Sequence, residues 1–237
     1  MASMTLDELV SQLRSAFGSD LGAVVLYGSA AAGEHIPKRS DYNVLVLVES
    51  LGVERLRAAA AVARAWGEAG NPAPLTMTTR EWRGSGDIFP MEYADVLERH
   101  RILFGTLPTE GLGVAPRDLR LQLEHEAMGK LLKLRQGVLA AGGDERRLIE
   151  LLAASLSTIM VIFRAVVRLH GMKPGTDNLA LSETVAGYGQ FDAAPFARVV
   201  RHVRGEQPIA VADVGAVLAG YLSGMEKLVA HLDRFEP

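Results

Sequence analysis

Apolar residues are distributed in two different ways along the chain, and the change between them predicts two folding units. In the N-terminal part they come in short dense runs. Gly22 to Gly28 is β-branched and ends in glycine, as a buried strand does, and Tyr42 to Glu49 reads as a second strand. Residues about 4 to 17 form an amphipathic pattern behind Thr5, with Glu8 three positions on, the signature of a capping box. A further helix is expected over Val53 to Ala69, stopped by Gly70 and the prolines at 72 and 74, and a third strand over Leu75 to Thr79. Phe89 to Tyr93 reads as an edge strand, because Pro90 cannot donate inside a sheet, and Arg101 to Phe104 as a short strand closed by Gly105.

Between Gly105 and Ala115 the composition turns to Gly, Pro and Thr, the mark of a linker. Beyond it the apolar positions recur at three- and four-residue spacing. Leu121, Met128, Leu131, Leu132, Val138 and Leu139 belong to one helix ended by Gly142 and Gly143. Residues from about Arg146 to His170 are apolar nearly all round and predict the central helix of a bundle. Shorter helices are expected at Leu179 to Tyr188 and Ala194 to Val203. The last runs from Val211 to Leu232, with one stripe through Val214, Leu218, Tyr221, Met225, Leu228 and Val229. The expected architecture is a mixed α/β (α+β) domain with one sheet over residues 1–108, followed by an all-α helical bundle over 116–237.

Composition narrows the function classes. The 237 residues carry a formal charge of -3, so the basic footprint of a dedicated nucleic-acid binder is missing, and 6% aromatics leave no stacking platform for single strands. With no cysteine, disulfides, thiolate metal sites and a cysteine nucleophile are excluded. The N-terminus lacks the pattern of a signal peptide, and the run Leu151 to Phe163, stopped by Arg164, reads as a core helix; the expectation is a cytoplasmic protein without a membrane partner.

The stretch with chemical content runs from Leu26 to Val48. A strand ends in Gly28-Ser29, a turn that lets backbone approach a phosphate and offers a hydroxyl. Eleven residues later Asp41 opens the neighbouring strand, and period-two alternation sets Asn43 on the same face. Gly28-Ser29 joined to Ser40-Asp41-x-Asn43 resembles the nucleotidyltransferase superfamily, the polymerase β-like fold of aminoglycoside and minimal nucleotidyltransferases. The resemblance implies a nucleoside triphosphate at Gly28 and Ser29. It also implies magnesium held by carboxylates at the Asp41 and Asn43 positions, and transfer of a nucleotidyl group to a hydroxyl of a small molecule or protein. Asn43 stands where the family carries its second carboxylate, and Thr76 or Thr78 where a third is expected, so weaker metal binding is predicted. Downstream lie the acids Glu81, Asp87, Glu92 and Asp95, and among them Glu92 is placed to reach the site from an edge strand.

Several residues have a plainer reading beside the functional one. Lys38 and Arg39 are placed to neutralise a triphosphate or are simply solvated in a loop. Arg164 and Arg168 are structural arginines of an apolar helix or bind phosphate or acceptor. His125, Arg135, His202 and His231 are taken as surface residues, Trp66 and Trp82 as packing. Two functional alternatives remain open at this level: an inactive binding or regulatory module of antitoxin-like kind, and a homodimer or protein partner docked through the bundle, with the last helix as its seam.

Overall fold

The computed structural model describes residues 4–31 and 41–236. They form two compact units, dividing after Val114. The N-terminal unit is built on a four-stranded mixed sheet in the order β3-β2-β1-β4, with β1 Leu21–Tyr27, β2 Asn43–Val48, β3 Leu75–Thr78 and β4 His100–Gly105. β1 pairs antiparallel with β2 and β4, and β2 pairs parallel with β3.

Both faces of the two central strands are covered, which is why their sequences are apolar without alternation. On one face Val24, Leu26, Val44 and Val46 pack with Leu9, Leu13 and Phe17 of α1 (Leu6–Phe17) and Val62 and Trp66 of α2 (Val53–Glu68). The other face, with Ala23, Val25, Leu45 and Leu47, meets Trp82, Tyr93 and Val96. The capping box at Thr5 is present in α1, its hydroxyl accepting from Glu8 N–H at 3.2 Å while the Glu8 carboxylate accepts from Thr5 N–H at 2.8 Å.

The segment expected as an edge strand around Glu92 is instead a helix, α4 (Pro90–Glu98), preceded by a short α3 (Thr79–Gly84). Pro90 occupies the first helical turn, where its missing N–H has no intrahelical role and its fixed φ favours the helix, and Glu92 sits in that same turn. α4 is anchored by aromatics: the rings of Tyr93 and Trp82 stack with centroids 4.2 Å apart, the Tyr93 hydroxyl donates to the Trp82 carbonyl, and Trp82 Nε1 donates to Pro108 O at 2.8 Å. Leu107, Leu112 and Val114 of the following segment pack on this same core.

The C-terminal unit is all helix: α5 (Pro116–Ala141), α6 (Glu145–Leu169), α7 (Asn178–Gly189), α8 (Ala194–Arg204) and α9 (Val214–Asp233). By length and composition α6 is apolar enough to cross a bilayer, yet Leu152, Ile159, Met160, Phe163 and Val166 are buried in the bundle. The stripe of α9 from Val214 to Leu232 is buried inside the unit as well, so it is an intrachain seam and not the dimer surface considered from sequence. Val211 lies outside it, exposed in a preceding 3₁₀ turn. α5 departs from expectation in register. Its buried face is Leu119, Leu123, Ala127, Leu131 and Leu134, leaving Leu121, Met128, Leu132 and Leu139 exposed.

His231 is not a surface residue. Its Nε2 lies 3.1 Å from Nε2 of His170, the two rings are 9° from parallel, and His170 stacks on Tyr188 at 3.8 Å between centroids. Burial lowers the pKa of both, and a charge on His231 lowers that of His170 further, as Arg234 does for His231. With folded pKa values below the ordinary 6.5, the unfolded chain takes up protons first as pH falls. This part of the stability is therefore complete above 6.5 and declines below it. Thermal melts of the wild type are expected to shift downward between about pH 7 and pH 5, and a His231→Phe variant to shift less over the same range. Equal shifts would contradict the assignment.

Candidate functional site

β1 leaves the sheet at Tyr27, and the chain turns at Gly28, where φ is +75°, into a single 3₁₀ turn over Gly28–Ala30 closed by Ala31 N–H to Gly28 O at 3.1 Å. Only glycine adopts that φ without strain, so the turn is written into the sequence. Asn43 opens β2 directly opposite Tyr27, which brings the two motif halves side by side through the register of one antiparallel pair. Asp41 lies two residues before, exposed and ahead of the strand. Ser29 lies in the turn; Lys38 and Arg39 fall outside the described residues, as do His35 and Ser40.

The open side of Gly28 faces two side chains. A methyl group built there would lie 3.4 Å from Asn43 Nδ2 and 3.4 Å from Asp95 Oδ2. Asp95 comes from α4; the sequence offers it among the downstream acids, where Glu92 is the one preferred. The carboxylate is held by Arg99, one helical turn on, whose NH2 reaches Asp95 Oδ1 at 2.8 Å with the two side chains 12% and 23% exposed. One carboxylate oxygen is therefore spent on the arginine and the other is aimed at the Gly28 turn. Glu92, one turn earlier on the same helix face, sits in the same field. Burial raises the Tyr27 pKa, and the negative charges of Glu92 and Asp95 raise it further.

The threonines of β3 are engaged elsewhere. Thr76 Oγ1 donates to Pro74 O at 3.1 Å. Thr78 caps α3, accepting from Glu81 N–H at 3.1 Å, while Glu81 accepts from Thr78 N–H at 2.7 Å. Those hydrogen bonds, from backbone first and then side chain, hold the Glu81 carboxyl below its usual range. Neither threonine nor Glu81 belongs to the site.

As metal donors, the residues at the turn are one oriented carboxylate, Asp95, and the exposed Asp41 close in sequence, while Asn43 presents its Nδ2 there and only its carbonyl oxygen can ligate. Among the described residues no three or more acids or histidines gather into a metal cluster. That donor set fits one hard cation arriving with a triphosphate, since magnesium commonly takes one or two carboxylates and completes its shell with phosphate and water. It does not fit a pair of cations held by protein alone.

In the C-terminal unit Arg164 is half-buried and donates to Asn178 Oδ1 at 2.9 Å, tying α6 to the start of α7, and Arg168 lies one turn further along, also half-buried. His202 Nδ1 accepts from Ile209 N–H at 3.1 Å. Ser155 and Tyr221 share a buried hydrogen bond of 3.1 Å, and burial drives the Tyr221 pKa far up.

No family model matches the chain, and no curated protein matches it. Among solved structures it is similar to a spectinomycin adenyltransferase, AAD(9), from Enterococcus faecialis, crystallised with ATP and spectinomycin. The similarity has a TM-score of 0.59, covers 97% of this chain and 100% of that one, and comes with 14% sequence identity. It is a likeness of fold.

Proposed function

We propose that this chain, which has the nucleotidyltransferase fold, binds a nucleoside triphosphate with one magnesium ion at the Gly28 turn and transfers its nucleotidyl group to a hydroxyl of a small molecule. The observation that carries the proposal is Asp95, a carboxylate aimed at the turn beside Asn43, where the motif alone is one acid short. Asp95 Oδ2, Asp41 and the Asn43 carbonyl oxygen would hold the ion, which supplies neutralisation of the triphosphate charge when bound. Gly28 lets the backbone approach the phosphates, and Ser29, Lys38 and Arg39 are assigned to the same anion. In the transfer the acceptor oxygen bonds to the α-phosphorus, pyrophosphate leaves, and the hydroxyl proton goes to a base. Glu92, near Asp95 on α4, is assigned that role. The similar structure holds ATP and spectinomycin, which makes those two the first donor and acceptor to try.

A second reading is favoured by a specific feature. Arg99 already compensates the charge of Asp95, and both β3 threonines are engaged in structural hydrogen bonds. A protein that keeps nucleotide binding and has given up turnover, acting as a regulatory module toward a protein partner, accounts for both. Incubation with ATP or GTP, magnesium and a panel of hydroxylated small molecules including spectinomycin separates the two. Transfer predicts acceptor-dependent pyrophosphate release and an adduct heavier by one nucleotidyl group. Nucleotide binding with no release for any acceptor would move the assignment to the second reading.

A further inference from the structure

Two histidines of the C-terminal unit face each other where two of its helices end. His170 caps the C-terminus of α6, and His231 stands in the last turn of α9. Their Nε2 atoms are 3.1 Å apart, with the ring planes 9° from parallel and the centroids 5.3 Å apart, so each ring turns its nitrogen toward the other. Both are half-buried, and neither is sealed from solvent. The pair is braced by aromatic rings. His170 stacks on Tyr188 of α7 with the planes 6° apart, and Phe235 meets both imidazoles edge-on, its centroid 4.9 Å from that of His170 and 5.9 Å from that of His231.

We propose that His170 and His231 together bind one divalent ion of the nitrogen-seeking kind, zinc or copper, which clips the end of α6 to the end of α9. As a hydrogen-bonded pair, one Nε2 donates and the other accepts. The same spacing suits a shared ion. Bonds of about 2.0 to 2.1 Å from metal to imidazole set two nitrogens about 3.3 Å apart at a tetrahedral angle, and about 2.9 Å apart when they are cis in a square plane. The observed 3.1 Å lies between these, and a swing of both rings turns the two lone pairs onto one ion. Burial lowers the pKa of both rings, the charge of His231 adding to this at His170 and that of Arg234 at His231, so both are in the neutral, ligating form at neutral pH. Arg234 turns its Nε back onto Ala230 O at 3.0 Å. The negative ends of two helix dipoles converge on the pair, an arrangement that favours a cation. Among the described residues no third acid or histidine joins the two, so water completes the coordination and the ion is held less tightly than in a closed four-ligand site. Magnesium, which seeks oxygen, does not fit here, and the site stands independently of the one at Gly28.

Calorimetric titration of the untagged full chain, first stripped with chelator, with zinc chloride and with copper sulfate tests this, together with thermal melting in the presence and absence of each ion. Wild type should bind one equivalent of at least one of the two and melt at a higher temperature with it, since the ion binds the folded chain. His170→Phe and His231→Phe, which keep a ring for the stacking, should each weaken that binding at least about tenfold and lose the thermal gain. His125→Ala, at an exposed position of α5, should change neither. Nitrogen NMR of the imidazoles in wild type reads the ligands directly, whether or not the variants fold: zinc should shift Nε2 of His170 and of His231 and spare the other four histidines. No binding of either ion, equal binding by the phenylalanine variants, or zinc shifts confined to other histidines would each overturn the proposal.

Discussion

Alanine at position 105 is expected to abolish cooperative folding of the N-terminal unit. Gly105 ends β4 with φ at +71°, pressed against the first turn of β1. A Cβ there would stand 1.8 Å from the Gly22 carbonyl oxygen, 2.8 Å from its carbon and 3.1 Å from Ala23 Cα. All three are backbone atoms of the central strand, so no rotamer change relieves the overlap. The left-handed φ adds its own penalty for any side chain. Losses above about 4 kcal/mol are rare for one substitution, and this one joins two mechanisms in a unit whose whole stability is on the order of 5 to 15 kcal/mol. Urea denaturation followed by Trp66 and Trp82 fluorescence should show no cooperative transition for the N-terminal unit, to which both tryptophans belong. A midpoint close to that of wild type would mean that β4 does not approach β1 as described.

Asp95→Asn carries the second large effect, and it acts on two observables. Arg99 loses the carboxylate that compensates it at 12% exposure, which costs about 1 to 2 kcal/mol, less than a fully buried pair because both groups retain some water. The neutral amide also removes the one oriented anionic donor at the Gly28 turn. Affinity for a triphosphate in the presence of magnesium should fall at least about tenfold, a loss of roughly 1.4 kcal/mol or more. A fluorescent ATP analogue reads the second effect and thermal melting the first. Reduced stability with unaltered affinity would leave Asp95 a structural residue and remove it from the site.

How much of this was readable in advance depended on whether the signal was local. β1, β2, α1 and α6 were, because dense apolar runs and a capping box are properties of neighbouring residues. The pairing of Gly28 with Asn43 followed from one turn and one strand register. α4 was misread because Phe-Pro-Met-Glu-Tyr is rich in strand formers, and Pro90 was weighed as a sheet-edge residue when it starts a helix; Pro at the first position with Glu92 in the first turn was the available cue. α5 has two apolar rows, and the expected core mixed them, taking Leu131 from the buried row and Leu121, Met128, Leu132 and Leu139 from the exposed one. Its true core row includes Ala127, which weakens the signal. Asp95 stands among the downstream acids of the sequence, with nothing local to single it out over Glu92. Its place at Gly28 depends on α4 being helical, which also brings Arg99 four residues on against the carboxylate, and on the Trp82 and Tyr93 stack that sets the helix against the sheet, a tertiary fact that no spacing encodes.

That the Gly28 turn is a magnesium-dependent triphosphate site is most directly tested by calorimetric titration of ATP and of GTP into wild type and Asp41→Ala, each with magnesium and with chelator. The account predicts binding of at least one nucleotide that requires magnesium and is lost or strongly weakened in the variant. Binding indifferent to both magnesium and Asp41, or no binding of either nucleotide, would contradict it.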